Sequence, residues 1–334
     1  MIKEISLNEL ATKLKEIKYT LILCHKNPDP DTLGSAFALK EVLLALGSQS
    51  DVACCDAPPT KFGFITGGAS LEYTEKGYER YIAIDVASPM QLGELSYLAE
   101  KVDLTIDHHK MCTRFSEYYA NFKASCAENV YLLASELGIL DELPLQFYNC
   151  LYAGMSADTG GFRYSNVTPE TMSSASEVIK RGIDHAEINR IIFDSKSLEE
   201  IRAQKLTYEK MQLFCDGALS VIMFTNEMKE SNGITDADIG DIVNIVRSVE
   251  GVLVALSLKQ QKDETKYSLS SRANAEIDVS KVCVEFGGGG HTRAAGATVV
   301  ASSPEEAIEI VVSKFGPQAQ SKLIATFFSS VSTE

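Results

Sequence analysis

The stretch YTLILCHKNPDPDTLGSAFALKEVLLALG, residues 19–47, carries the first decision about the fold. Its opening, YTLIL (19–23), is a short apolar run that reads as a buried strand. Its end, LGSAFALKEVLLALG (33–47), repeats apolar residues at helical spacing and closes on Gly47, a C-cap candidate. Between them CHKNPDPDTLGS (24–35) gathers His25, Asp29 and Asp31 within a few residues. Two readings are open for such a loop. Asp29 or Asp31 caps the following helix, the usual work of an aspartate there, or simply serves a turn. Alternatively the imidazole and the two carboxylates belong to a metal cluster, and the stretch alone does not choose.

The pattern of strand followed by helix repeats downstream. QSDVACCD (49–56) and ERYIAIDV (79–86) read as strands, MQLGELSYLAEKV (90–102) as a helix, and DLTIDHH (103–109) as the next strand. Helices around 125–138 and 144–157 precede SADTGGF. This alternation predicts the α/β class, with a mostly parallel sheet and helices on both faces. SLEEIRAQKLTYEKMQLF (197–214) has the length and mixed charge of a connecting helix. A second, smaller mixed α/β unit starts near 217. There GALSVIMFT is a strand, TDADIGDIVNIVRSV a helix with Thr235 as N-cap, and GVLVALSLKQQKDETKYSLSSR a hairpin. FGGGGHTRAAGA then continues into small residues as a helix does, and SSPEEAIEIVVSKF is a capped helix.

Composition bounds the function. A chain of 334 residues suits two domains, and 45% hydrophobic residues suffice for real cores. The formal net charge of -15 repels a phosphate backbone, so a grip on long nucleic acid is not expected, whereas a small anion at a local site is. The eight cysteines lack zinc-type spacing. MIKEISLNELATKLKEIK reads as an amphipathic helix rather than a signal peptide, and no apolar run is long enough to span a membrane. The expectation is a cytoplasmic protein with reduced thiols and no membrane partner.

Three further clusters share the address of the first. Asp85 ends YIAID, Asp107, His108 and His109 end LTIDHH, and Asp158 sits in SADTGG at a helix-to-loop transition. Ligands of open α/β sheets gather beyond the carboxyl ends of the strands, so the strand-terminal clusters converge if their strands are parallel neighbours. Each cluster alone has a turn or cap explanation; together they point to one site. Carboxylates and imidazoles without thiolates suit Mn²⁺ or Mg²⁺. Four aspartates balance two divalent ions, and such a pair lowers the pKa of a bridging water toward a hydroxide that attacks phosphorus. Developing negative charge then needs cations or donors from elsewhere. FGGGGHTRAAGA offers His291, Arg293 and backbone N–H groups, read here as lying at a helix N-terminus. Arg272 and Arg247 are either phosphate clamps or surface ion-pair partners.

HKNPDPD, IDVAS, IDHH and SADTGGF, in that order, resemble the metal motifs of the DHH phosphoesterase family, and FGGGGHTRAAG resembles the signature of its associated C-terminal domain. Length and layout are similar to the stand-alone bacterial nanoRNase/pAp phosphatase and linear or cyclic dinucleotide phosphodiesterase subgroup. The resemblance implies a catalytic metal-binding domain over 1–190, a connecting helix over 191–216 and a substrate-binding domain over 217–334. It implies His25, Asp29 and Asp85 on one Mn²⁺ and Asp31, Asp85, His108 and Asp158 on the other. Asp107 would orient the histidine pair and His109 would face the scissile phosphate. Gly287, Gly288, Gly289, Gly290 and His291 would hold the phosphate or sugar end, with Arg272 and Arg247 nearby. The activity implied is hydrolysis of very short RNAs and linear dinucleotides such as pApA to 5′-monophosphates, with pAp 3′-phosphatase activity. Two fixed ends on two domains favour short substrates. Cyclic di-AMP hydrolysis, a pyrophosphatase or exopolyphosphatase, and a non-catalytic nucleotide sensor are the alternatives. A homodimer is also implied by the subgroup.

Overall fold

The computed structural model describes every residue except 1, 2, 17, 110, 111, 122, 241, 275 and 332–334, with side chains described through residue 323. The chain divides into two units, Met1–Ser195 and Lys196–Glu334.

In the first unit, strands β1 (Lys3–Glu4), β2 (Tyr19–Leu23), β3 (Gln49–Ala53), β4 (Arg80–Ile84), β5 (Leu104–Ile106) and β6 (Tyr118–Ala120) form one sheet in the order β1-β6-β5-β4-β2-β3. Every pairing is parallel. Helices α1 (Leu7–Leu14), α2 (Pro30–Ala45), α3 (Gly63–Thr66), α4 (Cys126–Glu136), α5 (Leu145–Asp158), α6 (Pro169–Lys180) and α7 (His185–Asn189) accompany it. Side chains alternate across the sheet. Ile22, Ile82, Ile84 and Ile106 point into one core with α1, α2, α4 and α5. Leu21, Leu23, Tyr81 and Ala83 point into the other, against Leu92, Leu95 and Leu98. Burial on both faces explains why the strands read as continuous apolar runs.

Three local features differ from the expectations. The opening segment is not helical from its start: β1 precedes α1, and Met1, Ile2 and Ile17 of that segment lie outside the described residues. The helix expected at 90–102 is a 3-10 segment, Pro89–Lys101, broken at Gly93 (φ 59°, ψ −126°). Strand β6 went unread because three residues carry no period.

The second unit opens with α8 (Leu198–Lys210), whose Ala203 and Leu206 pack into this unit's core. Strands β7 (Gln212–Phe214), β8 (Leu219–Phe224), β9 (Val254–Gln260), β10 (Lys266–Ala273), β11 (Gly289–His291) and β12 (Ala294–Val300) form a sheet in the order β11-β12-β10-β9-β8-β7. Only β8 and β9 pair in parallel among these strands. Helices α9 (Asn226–Asn232), α10 (Asp236–Ile239), α11 (Val243–Arg247), α12 (Val279–Glu285) and α13 (Pro304–Val331) complete it. One face is covered by α12 and α13 and the other by α8, α10 and α11. The β9–β10 hairpin is as expected. The single helix expected from Thr235 is two short ones, with Gly240 (φ 47°, ψ −132°) between them, although Thr235 does cap the first.

FGGGGHTRAAGA is corrected outright: it is not a helix start but the hairpin β11–β12. The backbones approach too closely for side chains, since a Cβ on Gly288 would lie 2.1 Å from the Gly296 carbonyl oxygen and one on Gly290 (φ 142°) 2.6 Å from that of Ala294. Among the described residues no helix is long and apolar enough to cross a membrane, and the eight cysteines are all free thiols.

Candidate metal centre

The condition for convergence is met: β5, β4 and β2 are adjacent and parallel, so the residues that follow them emerge at one edge. Thr32 of α2 fastens the loop after β2 to the end of β4, its hydroxyl donating to the Ile84 carbonyl at 3.1 Å. A tight helix contact sets the depth of Asp31. A Cβ on Gly34 of α2 would lie 2.4 Å from the Cys150 carbonyl oxygen of α5, and one on Gly154 of α5 would lie 2.7 Å from Asp31 Oδ1. Only glycine lets α2 and α5 close to this distance.

The two readings of the opening loop turn out not to exclude each other, since Asp29 both caps a helix and stands among the clustered donors. Asp29 caps α2, its Oδ1 accepting from the N–H groups of Asp31 (2.9 Å) and Thr32 (3.0 Å). Asp31 sits at the N-terminus of a different helix: Oδ2 accepts from Cys126 N (2.9 Å) and Oδ1 from Ala127 N (3.0 Å), the first residues of α4. Donors and helix dipole there favour an anion.

Donor atoms then crowd together. His25 Nε2 lies 3.7 Å from Asp29 Oδ1 and 3.5 Å from Asp85 Oδ2. His108 Nε2 lies 3.3 Å from Asp85 Oδ1 and 3.9 Å from Asp31 Oδ2, while its Nδ1 lies 3.8 Å from Asp158 Oδ2. His25, Asp29 and Asp85 form one group whose ligand atoms are all within 4.8 Å of one another; Asp31, His108 and Asp158 form another. Asp85 thus faces both groups, one oxygen each way. It is buried, and its backbone is left-handed at φ 59°.

Asp107 has a different place. Its Oδ1 accepts from the N–H groups of His108 and His109 and from His109 Nδ1 (2.7 Å), and its Oδ2 accepts from the Tyr119 hydroxyl (2.9 Å). It organises the histidine pair from behind.

Charge in this cluster is in conflict. Burial, with the nearby Asp85 and Asp158 charges, pushes the Asp31 carboxyl well above the usual carboxylate range. Burial also lifts Asp158 to about 6, with Asp85 and Asp29 adding to it against the pull of His108. Burial opposes a charge on His25 and His108 as well, yet the carboxylates around them outweigh it and hold both imidazoles well above their ordinary value. For Asp85 burial is outweighed the other way, by His108 and His25, which hold it well below. Most of the donor set is oxygen and imidazole nitrogen, with acidic residues in excess, which suits hard or borderline divalent ions, and the Cys126 thiol also lies within 4.8 Å of Asp31 and Asp85.

The substrate residues expected in the second unit are also brought near one another. Arg272 of β10 pairs with Ala294 of β12, and Ala294 with His291 of β11, so Arg272 and His291 stand on one face with only an alanine between them. Arg247 ends α11, and its carbonyl accepts from the Asn274 side chain at 2.8 Å, two residues beyond Arg272. Gly287 (φ 72°) precedes the hairpin, and Gly288 and Gly290 are required by its close backbones, whereas a Cβ on Gly289 would meet open space.

Residues 19–155 match the DHH family, N-terminal domain, and residues 218–316 match the DHHA1 domain. The bifunctional oligoribonuclease and PAP phosphatase NrnA of Thermus thermophilus is 30% identical over 312 residues, 91% of this chain and 91% of that protein. The chain is a DHH-family phosphoesterase. The enzyme of the same description from Bacillus subtilis is 24% identical over 291 residues, 84% of this chain and 90% of that protein. An exopolyphosphatase-related protein from Bacteroides fragilis superposes with a TM-score of 0.84 at 23% identity, covering 94% of this chain and 97% of that one, which speaks for the fold alone.

Three residues around the centre of this DHH phosphoesterase were not singled out from its sequence. Cys126 holds Asp31 through its N–H and lies beside Asp85. Tyr119 supports Asp107, and Asn166 donates to Asp158 Oδ2 at 3.0 Å. Cys126 had a signal: Ser125 followed three residues later by Glu128 marks a helix N-terminus, the natural neighbour of a carboxylate. Tyr119 and Asn166, in a three-residue strand and a loop, had none.

Proposed function

We propose that this protein is a manganese-dependent phosphodiesterase that hydrolyses very short RNA oligonucleotides, including linear dinucleotides such as pApA, to nucleoside 5′-monophosphates, with pAp 3′-phosphatase activity. The observation that carries the reading is the identity with the Thermus thermophilus oligoribonuclease and PAP phosphatase over 91% of both chains. The donor groups of the first unit support it.

In this reading His25, Asp29 and Asp85 hold one divalent ion, and Asp31, Asp85, His108 and Asp158 hold the other, with Asp85 shared. Bound ions of this kind polarise a phosphoryl oxygen and make water nucleophilic near neutral pH. The chain's own residues do the rest. Asp107 locks the His109 ring through Nδ1, and His109 positions a phosphate oxygen for attack. His291, Arg272 and the Gly287–Gly290 segment bind the remote phosphate or sugar end, with Arg247 beside them. The overall charge of -15 discourages long polyanions, which leaves short ones.

A product assay with Mn²⁺ over pAp, pApA, short RNAs, cyclic di-AMP and pyrophosphate tests this. Release of 5′-monophosphates from pApA and of phosphate from pAp is expected. Turnover of cyclic di-AMP or pyrophosphate alone would contradict it.

A further inference from the structure

We infer that the Cys126 thiol is a positioning residue for Asp85, donating a hydrogen bond that keeps this carboxylate turned toward both ion-binding groups. The inference rests on the reading above, in which Asp85 is the carboxylate shared by two ions. Cys126 is wholly buried at the first residue of α4, and its own N–H is fixed on Asp31 Oδ2. Its Sγ lies 3.7 Å from Asp85 Oδ1 and 3.5 Å from the Ile106 carbonyl oxygen, within reach of a thiol donor.

The surroundings of Asp85 show why that weak donor matters. Asp85 is flanked by His25 Nε2, His108 Nε2 and His109 Nδ1 at 3.5, 3.3 and 3.7 Å. A histidine nitrogen that ligates an ion has no proton left to give. His109 Nδ1 is turned to Asp107, at 2.7 Å. Once His25 and His108 are committed to ions, the thiol remains as a side-chain donor to Asp85 Oδ1, shared with the Ile106 carbonyl. A thiol donates weakly, so it steers the oxygen without withdrawing much of the charge that the ions require. Asp85 also sits on a left-handed backbone, uncommon for a residue that carries a side chain.

The test is Mn²⁺ titration followed by electron paramagnetic resonance on the full chain, the Cys126→Ala variant and the Cys126→Ser variant, with melting temperatures of the ion-free proteins. Outer partners of metal ligands are commonly worth about 10–100-fold in affinity, and a thiol belongs at the lower end. Cys126→Ala is expected to lose about tenfold in Mn²⁺ affinity, and Cys126→Ser, which keeps a donor, to recover most of it. A purely structural role would lower the ion-free melting temperature of both variants alike and leave the affinities together. Parental affinity in Cys126→Ala, or equal weakness in the serine variant, overturns the inference. So does a thiolate charge-transfer band on adding Cd²⁺ that Cys126→Ala lacks, since Asp31, Asp85 and Cys126 lie close enough to share an ion and the thiol would then be a ligand. If the unaltered protein binds no Mn²⁺, the reading beneath the inference fails. If it binds and Cys126→Ala binds equally, the inference alone fails.

Discussion

Asp107 is a residue whose effect, in the proposed reading, comes without touching an ion. Fully buried, it accepts from two backbone N–H groups, an imidazole and a phenol, and burial is outweighed by His109 and its other donors so that its carboxyl stays below the ordinary value. Asp107→Asn keeps the volume and loses the charge that holds His109. Activity is predicted to fall by about 10–100-fold while Mn²⁺ affinity changes much less. Steady-state kinetics beside a Mn²⁺ titration checks this, and full activity in the variant would refute the positioning of His109. His291 gives the complementary case in the second unit. His291→Ala is predicted to weaken turnover of pApA far more than turnover of bis-p-nitrophenyl phosphate, which has no remote end to hold. Equal losses on both would remove His291 from substrate binding.

At the scale of elements, glycines report which contacts the fold cannot relax. The α2–α5 contact at Gly34 meets a backbone oxygen, not a flexible side chain. Gly34→Ala is therefore predicted to destabilise the protein by at least about 1–3 kcal/mol, read by denaturant unfolding. Unchanged stability would mean the helices are not closed as described. The hairpin offers a sharper pair. Gly290→Ala should cost stability, because its φ of 142° and the 2.6 Å approach both forbid a side chain. Gly289→Ala should fold with near-parental stability, yet raise KM for nucleotide substrates if a ligand backs onto that strand. A Gly289→Ala enzyme with parental KM would mean the strand is no binding surface.

The same elements explain what was legible. β2, β4 and β5 could be read because a parallel sheet covered on both faces demands unbroken apolar runs, and the chemistry-bearing residues follow directly on those runs. β1 and β6 were too short to show a period. GGGGHTRAAGA was misread because small residues suit close helices and close strands equally; the deciding factor is pairing with β10, a contact far away in sequence. Asp31's anchorage on α4 was hidden for the same reason, its partners standing 95 positions apart.

For the whole molecule, the cluster of the first unit sets buried carboxylates against one another, a conflict that a bound cation would relieve. Burial and neighbouring carboxylates raise the pKa of Asp31 and Asp158, and, against burial, the same carboxylates raise that of His25 and His108. Ions that bind only the folded chain add stability by mass action, about 2.7 kcal/mol at a hundredfold excess over Kd. Chelation is therefore predicted to lower the unfolding midpoint, and Mn²⁺ to restore it. A midpoint indifferent to both would leave the cluster without an ion to hold.

The central claim is that two ion-binding groups share Asp85. It is tested most directly by counting Mn²⁺ per chain in the unaltered protein and in Asp85→Asn, a variant of equal size. The account predicts two strongly bound ions, with the spectral signature of a coupled pair, in the former, and loss of the pair together with at least about a hundredfold loss of activity in the latter. A pair that survives Asp85→Asn, or a single ion in the unaltered protein, would contradict it.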